Sequence, residues 1–192
     1  YFSPRAGVRF APLPFLSLTA SVAYTHRPPT FMELFGNGGL FRGNDSLMPE
    51  RGFGGDLNAR IALPEETLGD LTLSLSTTGF INVVSDQIVF IQNSQRTMVA
   101  QNVAKARIAG FELEAHAGWT GWARVQLGYT LLDPIDLSGI DPYDHEMLPN
   151  RPRHDLFLEA GLFNWGVELY WQADHISGGY VDRSQQQTIS NR

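Results

Sequence analysis

The sequence predicts an all-β fold, an antiparallel up-and-down segment of about eight strands that forms part of a larger transmembrane β-barrel. Three observations predict it. Apolar and polar residues alternate with a period of two, several alternating segments reach about 10 residues, and short connections alternate with long ones. Strands of that length can cross a bilayer at a tilt, whereas strands of soluble proteins typically have about 5 or 6 residues.

The predicted strands follow one another along the whole chain. The clearest begins at Phe15 and ends at His26, where Leu16, Leu18 and Val22 alternate with small or polar residues. The same period predicts the remaining strands at 5–10, 53–63, 71–76, around 111–113, and at 124–131, 156–162 and 167–174. Each strand therefore presents one apolar face and one polar face.

The connections between these strands are predicted to alternate between tight turns and long loops. The turns lie at 11–14, 64–69, 118–121 and 163–166, and the loops lie at 27–50, 86–99 and 133–153. Outer-membrane barrels have short turns on the periplasmic side and longer loops outside. Aromatic residues near the strand ends suit the level of the lipid headgroups. They are Phe15, Trp119, Trp122, Phe163 and Trp165 at the turns, and Tyr24, Tyr129 and Trp171 towards the loops.

The polar faces of the predicted strands carry many charges. They are Arg9, Asp56, Arg60, Glu112, Glu114, Arg124, Glu159, Glu168 and Asp174. So many charged groups cannot lie in a dry core without partners. We therefore expect the apolar faces to meet lipid and the charged faces to line a wide lumen that holds water or a polar plug. Barrels of about 22 strands enclose such a plug.

Composition narrows the class of protein. The 192 residues carry a formal net charge of -6 and no cluster of basic residues, which argues against a nucleic-acid partner. Cysteine is absent, so these residues cannot form disulfides or thiolate metal sites. The sequence contains no run of roughly 18 apolar residues, so it predicts no transmembrane helix. The chain begins at Tyr1 without a signal peptide and ends after a polar run, so we expect it to be a piece of a longer protein.

Three segments carry specific sequence patterns. Residues 27–36 read Arg-Pro-Pro-Thr-Phe-Met-Glu-Leu-Phe-Gly, and residues 43–50 complete this first pattern with Gly-Asn-Asp-Ser-Leu-Met-Pro-Glu. Residues 102–114 read Asn-Val-Ala-Lys-Ala-Arg-Ile-Ala-Gly-Phe-Glu-Leu-Glu, and residues 148–154 read Leu-Pro-Asn-Arg-Pro-Arg-His. Proline prevents continued strand pairing and glycine permits folded loops, so each pattern also suits a purely structural role.

Together these segments resemble the signatures of TonB-dependent receptors. The first is similar to the family's Arg-x-Pro-Thr-hydrophobic-x-Glu-Leu segment with its following Gly-Asn-x-x-Leu-x-Pro-Glu. The second is similar to Asn-x-x-x-Ala-x-Ile-x-Gly-hydrophobic-Glu-x-Glu, in which Gly110 is expected to mark a bulge or a close approach beside the plug. The third is similar to Leu-Pro-x-x-Pro-x-His. The three matches occur in the expected order and span most of the chain.

The resemblance implies that residues 1–192 form the C-terminal part of a plugged barrel, with the plug, the N-terminal strands and the C-terminal strands lying outside them. It implies an active-transport receptor of the bacterial outer membrane that takes up a scarce nutrient such as a ferric siderophore, haem or cobalamin. The expected partners are outer-membrane lipid, the plug domain of the same chain, TonB through the absent N-terminal part, and a small-molecule or metal-chelate substrate. No resident cofactor is expected.

Loop residues are the candidates for substrate contact, because a rigid scaffold aims its loops outward. Arginine suits anionic ligands and aromatic rings offer stacking surfaces. The candidates are Arg27, Phe35, Phe41, Arg42, Arg96, Tyr143 and Arg151. No metal site is predicted. The aspartates at 133, 136, 141 and 144 share one loop, but their spacing follows no EF-hand pattern and favours a solvated acidic loop over a Ca²⁺ site.

No enzymatic activity is expected. Asp and His form three sequence-adjacent pairs, and neighbours on a strand point to opposite faces. The pairs are Asp144–His145, His154–Asp155 and Asp174–His175. The sequence contains no nucleophile elbow, zinc-binding His-Glu-x-x-His or phosphate-binding glycine loop. Three other interpretations compete with the receptor: a passive outer-membrane porin without a plug, a small structural barrel of about eight strands, and a soluble β-sandwich adhesin.

Overall fold

The computed structural model describes residues 2–63, 68–92, 97–181 and 185–189. In these ranges the chain forms nine strands and one short helix. In chain order they are β1 (Arg5–Leu13), β2 (Leu16–Arg27), α1 (Phe31–Phe35), β3 (Phe41–Arg42), β4 (Glu50–Leu63), β5 (Leu71–Gln92), β6 (Met98–Trp119), β7 (Ala123–Asp136), β8 (His154–Asn164) and β9 (Val167–Ser177). In these same ranges no helix combines the length and the apolar character needed to cross a membrane.

All nine strands belong to one sheet. Eight of them form an antiparallel meander in the order β1-β2-β4-β5-β6-β7-β8-β9, and the two-residue β3 pairs in parallel with β6. β1 and β9 are the two edges of this sheet and do not pair with each other in the described ranges. The predicted antiparallel, up-and-down segment of about eight strands is thereby confirmed, as an open part of a barrel.

The pairing register sorts the side chains onto two continuous faces. One row of paired residues crosses seven strands as Leu16, Ile61, Leu75, Ala115, Leu127, Leu158 and Ala173. The adjacent row, on the opposite face, reads Ser17, Arg60, Ser76, Glu114, Gly128, Phe157 and Asp174. All nine charges predicted for the polar face share that second face, because each is an even number of residues from this row along its strand or is paired with such a residue.

No second layer of protein covers the apolar face within the described ranges. Its large side chains are exposed, among them Val8, Val22, Leu57, Ile81, Leu162 and Leu169. The buried hydrophobic residues in these ranges are few. Ile88 and Ala100 lie where the β5–β6 hairpin projects beyond the regular sheet, and Ala106 pairs with Val84 and Asp136 at its end. A soluble sandwich would bury its apolar face against another sheet. The single layer therefore excludes the β-sandwich interpretation, and hydrocarbon is the natural partner of this face.

The two ends of the sheet differ, as predicted. At one end, which we name the turn end, the connections are short: 14–15, 120–122 and 165–166, with 64–70 described only in part. At the opposite end, named the loop end, the connections 28–49 and 137–153 are long. The rings of Trp119 and Trp122 lie 6.0 Å apart at the turn end, and Trp165 is 95% exposed there. These rings have the placement of a headgroup-level belt.

The predicted loop at 86–99 was wrong. β5 continues to Gln92 and β6 begins at Met98, so the two strands form a hairpin of 22 residues each that projects beyond the regular sheet at the loop end. Asp86 suggested a loop, but it lies at a register shift with a φ of 57°. Beyond it, pairing resumes from Ile88 with Asn102, because β-branched and aromatic residues favour strand structure.

Of the two alternatives expected at Gly110, a bulge or a close approach, the structure shows no bulge but a close approach, made by neighbouring strands. Gly110 pairs regularly with Phe80 on β5 and with Leu132 on β7. A Cβ at this position would lie 2.6 Å from Cζ of Phe80 and 2.8 Å from the carbonyl oxygen of Leu131. Glycine is therefore required by the ring of a neighbouring strand, which is one of the recognised reasons for glycine inside a sheet.

Candidate functional site at the loop end

The first long loop is organised around α1. Thr30 caps the helix: its hydroxyl accepts a hydrogen bond from the Glu33 N–H at 3.3 Å, and its own N–H donates to Oε2 of Glu33 at 2.6 Å. This reciprocal arrangement is a capping box. At the other end the Gly36 N–H donates to the Met32 carbonyl at 2.8 Å, with a φ of 72° at Gly36. The first sequence pattern thus builds a fixed turn of helix.

Arg27, the last residue of β2, connects this turn to the barrel. Its guanidinium donates to Glu33 through Nη1 and Nη2, both at 3.1 Å, and to Glu50 through Nε at 2.7 Å and through Nη2. Glu50 is also the partner of Arg27 in the register of β2 and β4. Hydrogen bonds between a guanidinium and carboxylates are about twice as strong as neutral ones. The two ends of the first pattern are therefore joined by one side chain.

Glu33 is held in its charged form. Partial burial alone would raise the pKa of its carboxyl, but the hydrogen bonds from Arg27 and Thr30 outweigh that effect and lower the pKa below its ordinary value. The Glu33 side chain is only 12% exposed. A carboxylate this shielded from water depends on its partners for stability.

The second sequence pattern lies against the first. Asn102 on β6 donates from Nδ2 to the carbonyl oxygens of Met48, at 2.8 Å, and Asp86, at 2.7 Å, and its Oδ1 accepts from the Met48 N–H at 2.8 Å. Asn44 donates from Nδ2 to the Ala100 carbonyl at 3.0 Å. Segments more than fifty positions apart in sequence therefore form one cluster.

Gly43 permits the closest approach in this loop. A Cβ there would lie 2.3 Å from the carbonyl oxygen of Leu34 in α1. The next residue, Asn44, donates its N–H to the Glu33 carbonyl at 2.9 Å. The glycine of the first pattern is therefore explained by contact between backbone segments.

α1 presents two aromatic rings to the outside. Phe31 and Phe35 are one helical turn apart, with ring centroids at 4.7 Å, and are 76% and 63% exposed. Arg42 pairs with Gly36 in an isolated bridge, which places this exposed cation next to the end of α1. Exposed rings can stack on a planar group, and an exposed guanidinium in the same loop can bind an anion. We name Phe31, Phe35 and Arg42 the aromatic platform.

We name α1, β3 and the side chains that join them to the barrel, Arg27, Glu50 and Asn102, the loop-end unit. Four of the predicted site residues lie in it. Phe35 and Arg42 belong to the aromatic platform, whereas Phe41 packs edge-to-face on Phe90 of β5, with ring centroids at 5.0 Å. That contact attaches β3 to the β5–β6 hairpin. Arg27 lies at the base of the same unit, but its donors point to Glu33 and Glu50, which weakens its prediction as a ligand-binding residue.

The other predicted site residues lie elsewhere. Tyr143 and Arg151 are both on the connection between β7 and β8, where Tyr143 is half-buried and Arg151 is exposed. This connection is attached to the hairpin, because the Leu137 N–H donates to the Lys105 carbonyl at 2.8 Å. Arg96 lies outside the described residues.

The aspartates near this connection do not converge on one point. Asp133 accepts from Arg107 at 2.7 Å, Asp136 accepts from the Ser138 N–H at 2.8 Å, and Asp144 accepts from the Gly139 N–H at 2.9 Å. In the part of the chain that the structure describes, no group of three or more His, Asp or Glu side chains is arranged to hold a metal ion.

One sequence argument about these residues was wrong. Asp144 and His145 were expected to point apart as strand neighbours, yet Nδ1 of His145 lies 2.8 Å from Oδ2 of Asp144. The pair sits in a turn, where His145 has a φ of 67°, so the alternation of a strand does not apply. The imidazole is 75% exposed, which suits a surface contact.

A cavity of about 530 Å³ lies between this connection and the segment after β9. Its polar lining includes Asp133, His145, Glu146, Arg153 and Gln185. The lining combines acidic and basic groups, so its charge favours no one class of ligand.

The polar face of the sheet changes sign from one side to the other. β1 contributes Arg5 and Arg9, and β4 contributes Arg60 and Asp56. β6 to β9 contribute Glu112, Glu114, Asp155, Glu159, Glu168 and Asp174 against Arg124. Arg124 lies 3.3 Å from Glu159 and stacks over the rings of Phe163 and Tyr170. Anything that fills the lumen meets a basic wall and an acidic wall.

Sequence reasoning missed two residues of the loop-end unit. The spacing of Thr30 and Glu33 is the signal of a capping box, and it could have placed Phe31 beside Phe35 on one turn of helix. Asn102 belongs to the second sequence pattern, but its hydrogen bonds to the Met48 backbone, 54 positions away, have no local signal in the sequence.

The family model described as TonB dependent receptor-like, beta-barrel, matches residues 1–191. No curated protein sequence matches the chain.

Several solved structures are similar in fold. The siderophore receptor PiuA from Acinetobacter baumannii has 19% identity and a TM-score of 0.75, over 98% of this chain and 28% of that one. The FrpB iron transporter from Neisseria meningitidis has 19% identity and a TM-score of 0.71, over 99% and 30%. The Serratia marcescens hemophore receptor HasR, in complex with its hemophore HasA and heme, has 16% identity and a TM-score of 0.73, over 92% and 32%.

The chain therefore spans about a third of the length of these structures or less. At these identities the likeness shows the fold. The family model is the independent finding, because it matches nearly the whole sequence, including all three sequence patterns. The chain belongs to the TonB-dependent receptor family, as part of its β-barrel.

Proposed function

We propose that the chain is part of an outer-membrane receptor that imports a scarce nutrient by active transport energised through TonB. The observation that carries the proposal is the aromatic platform, two exposed rings on α1 and an exposed Arg42 in the gap between the two segments of the first family pattern. In this proposal the loop end faces the outside and the turn end faces the periplasm, following the general asymmetry of outer-membrane barrels.

The substrate class is a small molecule or metal chelate such as a ferric siderophore, haem or cobalamin. Planar or aromatic groups suit exposed rings, and anionic chelates suit Arg42. The names of structurally similar proteins, which describe siderophore, iron and hemophore uptake, support testing this range first. Tyr143, Arg151 and Arg96 remain proposed contacts on other parts of the loop end.

The partners follow from the two faces of the sheet. We infer that the apolar face contacts outer-membrane lipid, because its large side chains are uncovered by protein. The charged face is proposed to contact the plug domain of the same protein, since a water-filled or polar interior is what these groups require. TonB would act through a part of the protein other than these residues.

Growth on defined nutrients tests the function. A strain that lacks the full-length receptor gene is expected to lose growth on one ferric siderophore, haem or cobalamin source, and the intact gene is expected to restore it. The same gene is expected to fail in a strain without TonB. Growth that is restored without TonB, together with free passage of unrelated small solutes, would indicate a passive porin instead.

The platform itself is tested by binding. Replacing Phe31 and Phe35 together with Ala in the full-length receptor is expected to weaken binding of the transported nutrient by about tenfold or more, because ring contacts contribute roughly 0.5–1.5 kcal/mol each beyond area burial. Leu40→Ala removes an exposed apolar side chain from the same loop and serves as the control. Equal affinities for the double variant and the control would contradict the assignment.

A further inference from the structure

The hairpin of β5 and β6 has a weak point where it leaves the regular sheet. The register shifts between Val84 and Gln87 and again before Ile88. Such an irregularity disrupts the ladder and bends the strand. Two side chains from the sequence patterns supply partners here: Nδ2 of Asn102 donates to the Asp86 carbonyl at 2.7 Å, and Oε1 of Glu50 accepts from the Ile88 N–H at 2.8 Å.

The same two side chains also reach towards the first loop. Asn102 makes two hydrogen bonds with the backbone of Met48, each at 2.8 Å. Glu50 accepts from Arg27, whose remaining donors reach Glu33 in α1. The helix, the end of the first pattern and the bent part of β5 are therefore joined by a continuous set of hydrogen bonds.

The charges of Arg27, Glu33 and Glu50 make the contacts among these three side chains depend on one another. The side chains of Glu33 and Glu50 are 12% and 13% exposed, and Arg27 lies between them. Without Arg27 two shielded carboxylates would face each other unpaired, which is strongly unfavourable. Arg42 in the same loop has an exposed side chain and takes no part in this set of contacts.

We propose that Arg27, Glu33, Glu50 and Asn102 form a loop-end latch that makes the first loop and the projecting β5–β6 hairpin one rigid body. In this role Arg27 and Asn102 are positioning residues. They do not contact the substrate; they hold the aromatic platform at a fixed place relative to the hairpin. This consequence for binding rests on the proposed function, whereas the rigidity of the latch does not.

Hydrogen exchange in the full-length receptor, without any substrate, tests the latch. The reporters are the N–H groups of Leu34 and Gly36 in the helix, bonded to Thr30 and Met32, and the Met98 N–H, bonded to Leu40 where β3 meets β6. In Asn102→Asp, which keeps the size but removes the Nδ2 donor, peptides covering helix and hairpin are expected to exchange about tenfold faster or more, and together. Peptides from β7 and β8 are expected to keep their rates.

Arg42→Ala is the matched control and is expected to leave all of these rates unchanged. Arg27→Ala and Glu50→Gln provide second and third variants, so a failure of one variant to fold does not decide the question. A folded Asn102→Asp or Glu50→Gln receptor with unaltered exchange in α1 would overturn the proposal. So would a helix that loosens while the hairpin stays protected. Unchanged nutrient binding in the Phe31 and Phe35 double variant, with the latch still rigid, would contradict the proposed function and leave the latch proposal standing.

Discussion

Gly110 shows how one missing side chain shapes the sheet at the scale of a residue. The ring of Phe80, paired with it across β5 and β6, occupies the space that a Cβ would need. The opposite case is Gly79 on β5, where a Cβ would meet nothing within 4 Å. Gly79 and Gly110 lie on neighbouring strands, and of these two glycines only Gly110 lies where a Cβ would clash.

Gly110→Ala in the full-length receptor is expected to lower its stability by about 1–3 kcal/mol, because an added carbon in a filled site forces the ring and the neighbouring backbone apart. The measurement is the midpoint of thermal unfolding in detergent. Gly79→Ala is the control and should unfold near the wild-type midpoint. If both variants unfold at the same temperature, the close contact with Phe80 has no energetic role.

Glu33 makes the first loop sensitive to acid. Its pKa is lower in the folded loop than the ordinary value of 4.5, so its stabilising contribution is present above that value and is lost as the pH falls through the lowered one. Arg27 stays charged throughout and Glu50 titrates in the same cluster. A spin label at Met32→Cys is expected to become more mobile from neutral pH to about pH 3.

A second substitution isolates the Glu33 share of this effect. With Glu33→Gln beside the same label, mobility should already be raised at neutral pH, and the further rise on acidification should be smaller. An identical acid response in the two proteins would assign the transition to another group.

At the scale of elements, the faces of the strands were predictable and the length of the hairpin was not. Alternation at a period of two depends only on local side-chain direction, so it identified both faces of strands such as β2 and β7 correctly. The extension of β5 and β6 depends on pairing with a distant segment and on β3 at its free edge. Asp86 favoured a loop, although Ile88, Val89, Phe90 and Ile91 after it are residue types that favour strand structure.

The same limit applies to the candidate site. The family pattern located the first loop. Phe35 and Arg42, predicted there as ligand contacts, are exposed, and their contact with a ligand stays a prediction. Arg27 was chosen on charge alone, because its two carboxylate partners, six and 23 positions away, are brought to it only by the fold. Sequence supplies the groups, and the fold decides which of them are already satisfied.

The same change to Arg at two neighbouring residues of β7 tests the apolar and polar faces of the sheet. Leu127→Arg places a charge on the apolar face, between Ala115 and Leu158, and is expected to cost about 2–4 kcal/mol if the site is near the middle of the bilayer. Gln126→Arg, one position earlier, places the same charge on the polar face beside Glu159. The yield of folded, heat-modifiable receptor in the membrane is the measurement. Similar yields for the two variants would contradict the assignment of the apolar and polar faces.

At the scale of the whole molecule, the sheet is open. β1 and β9 each have one edge that pairs with nothing in the described ranges. A barrel removes such edges by closing, and exposed edges of apolar strands promote aggregation. The 192 residues therefore depend on neighbours beyond this sheet.

The isolated 192-residue chain, refolded in detergent, is expected to form heterogeneous aggregates and to migrate identically with and without heating on a denaturing gel. The full-length receptor under the same conditions is expected to be monodisperse and heat-modifiable. A monodisperse, heat-resistant product from the isolated chain would show that its edges can be satisfied without the rest of a barrel.

The uncovered apolar face has a consequence for how such a sequence can change over time. In a dry protein core each side chain must match the shape of its neighbours, since a lost methylene leaves a void that costs energy in addition to the transfer term. Fluid hydrocarbon adapts to the side chains that it contacts. If this face contacts lipid, as proposed, exchanges among Leu, Ile, Val and Phe at positions such as Leu57 or Leu169 leave no void. The 19% identity that this chain shares with each of two structures of similar fold fits such exchanges.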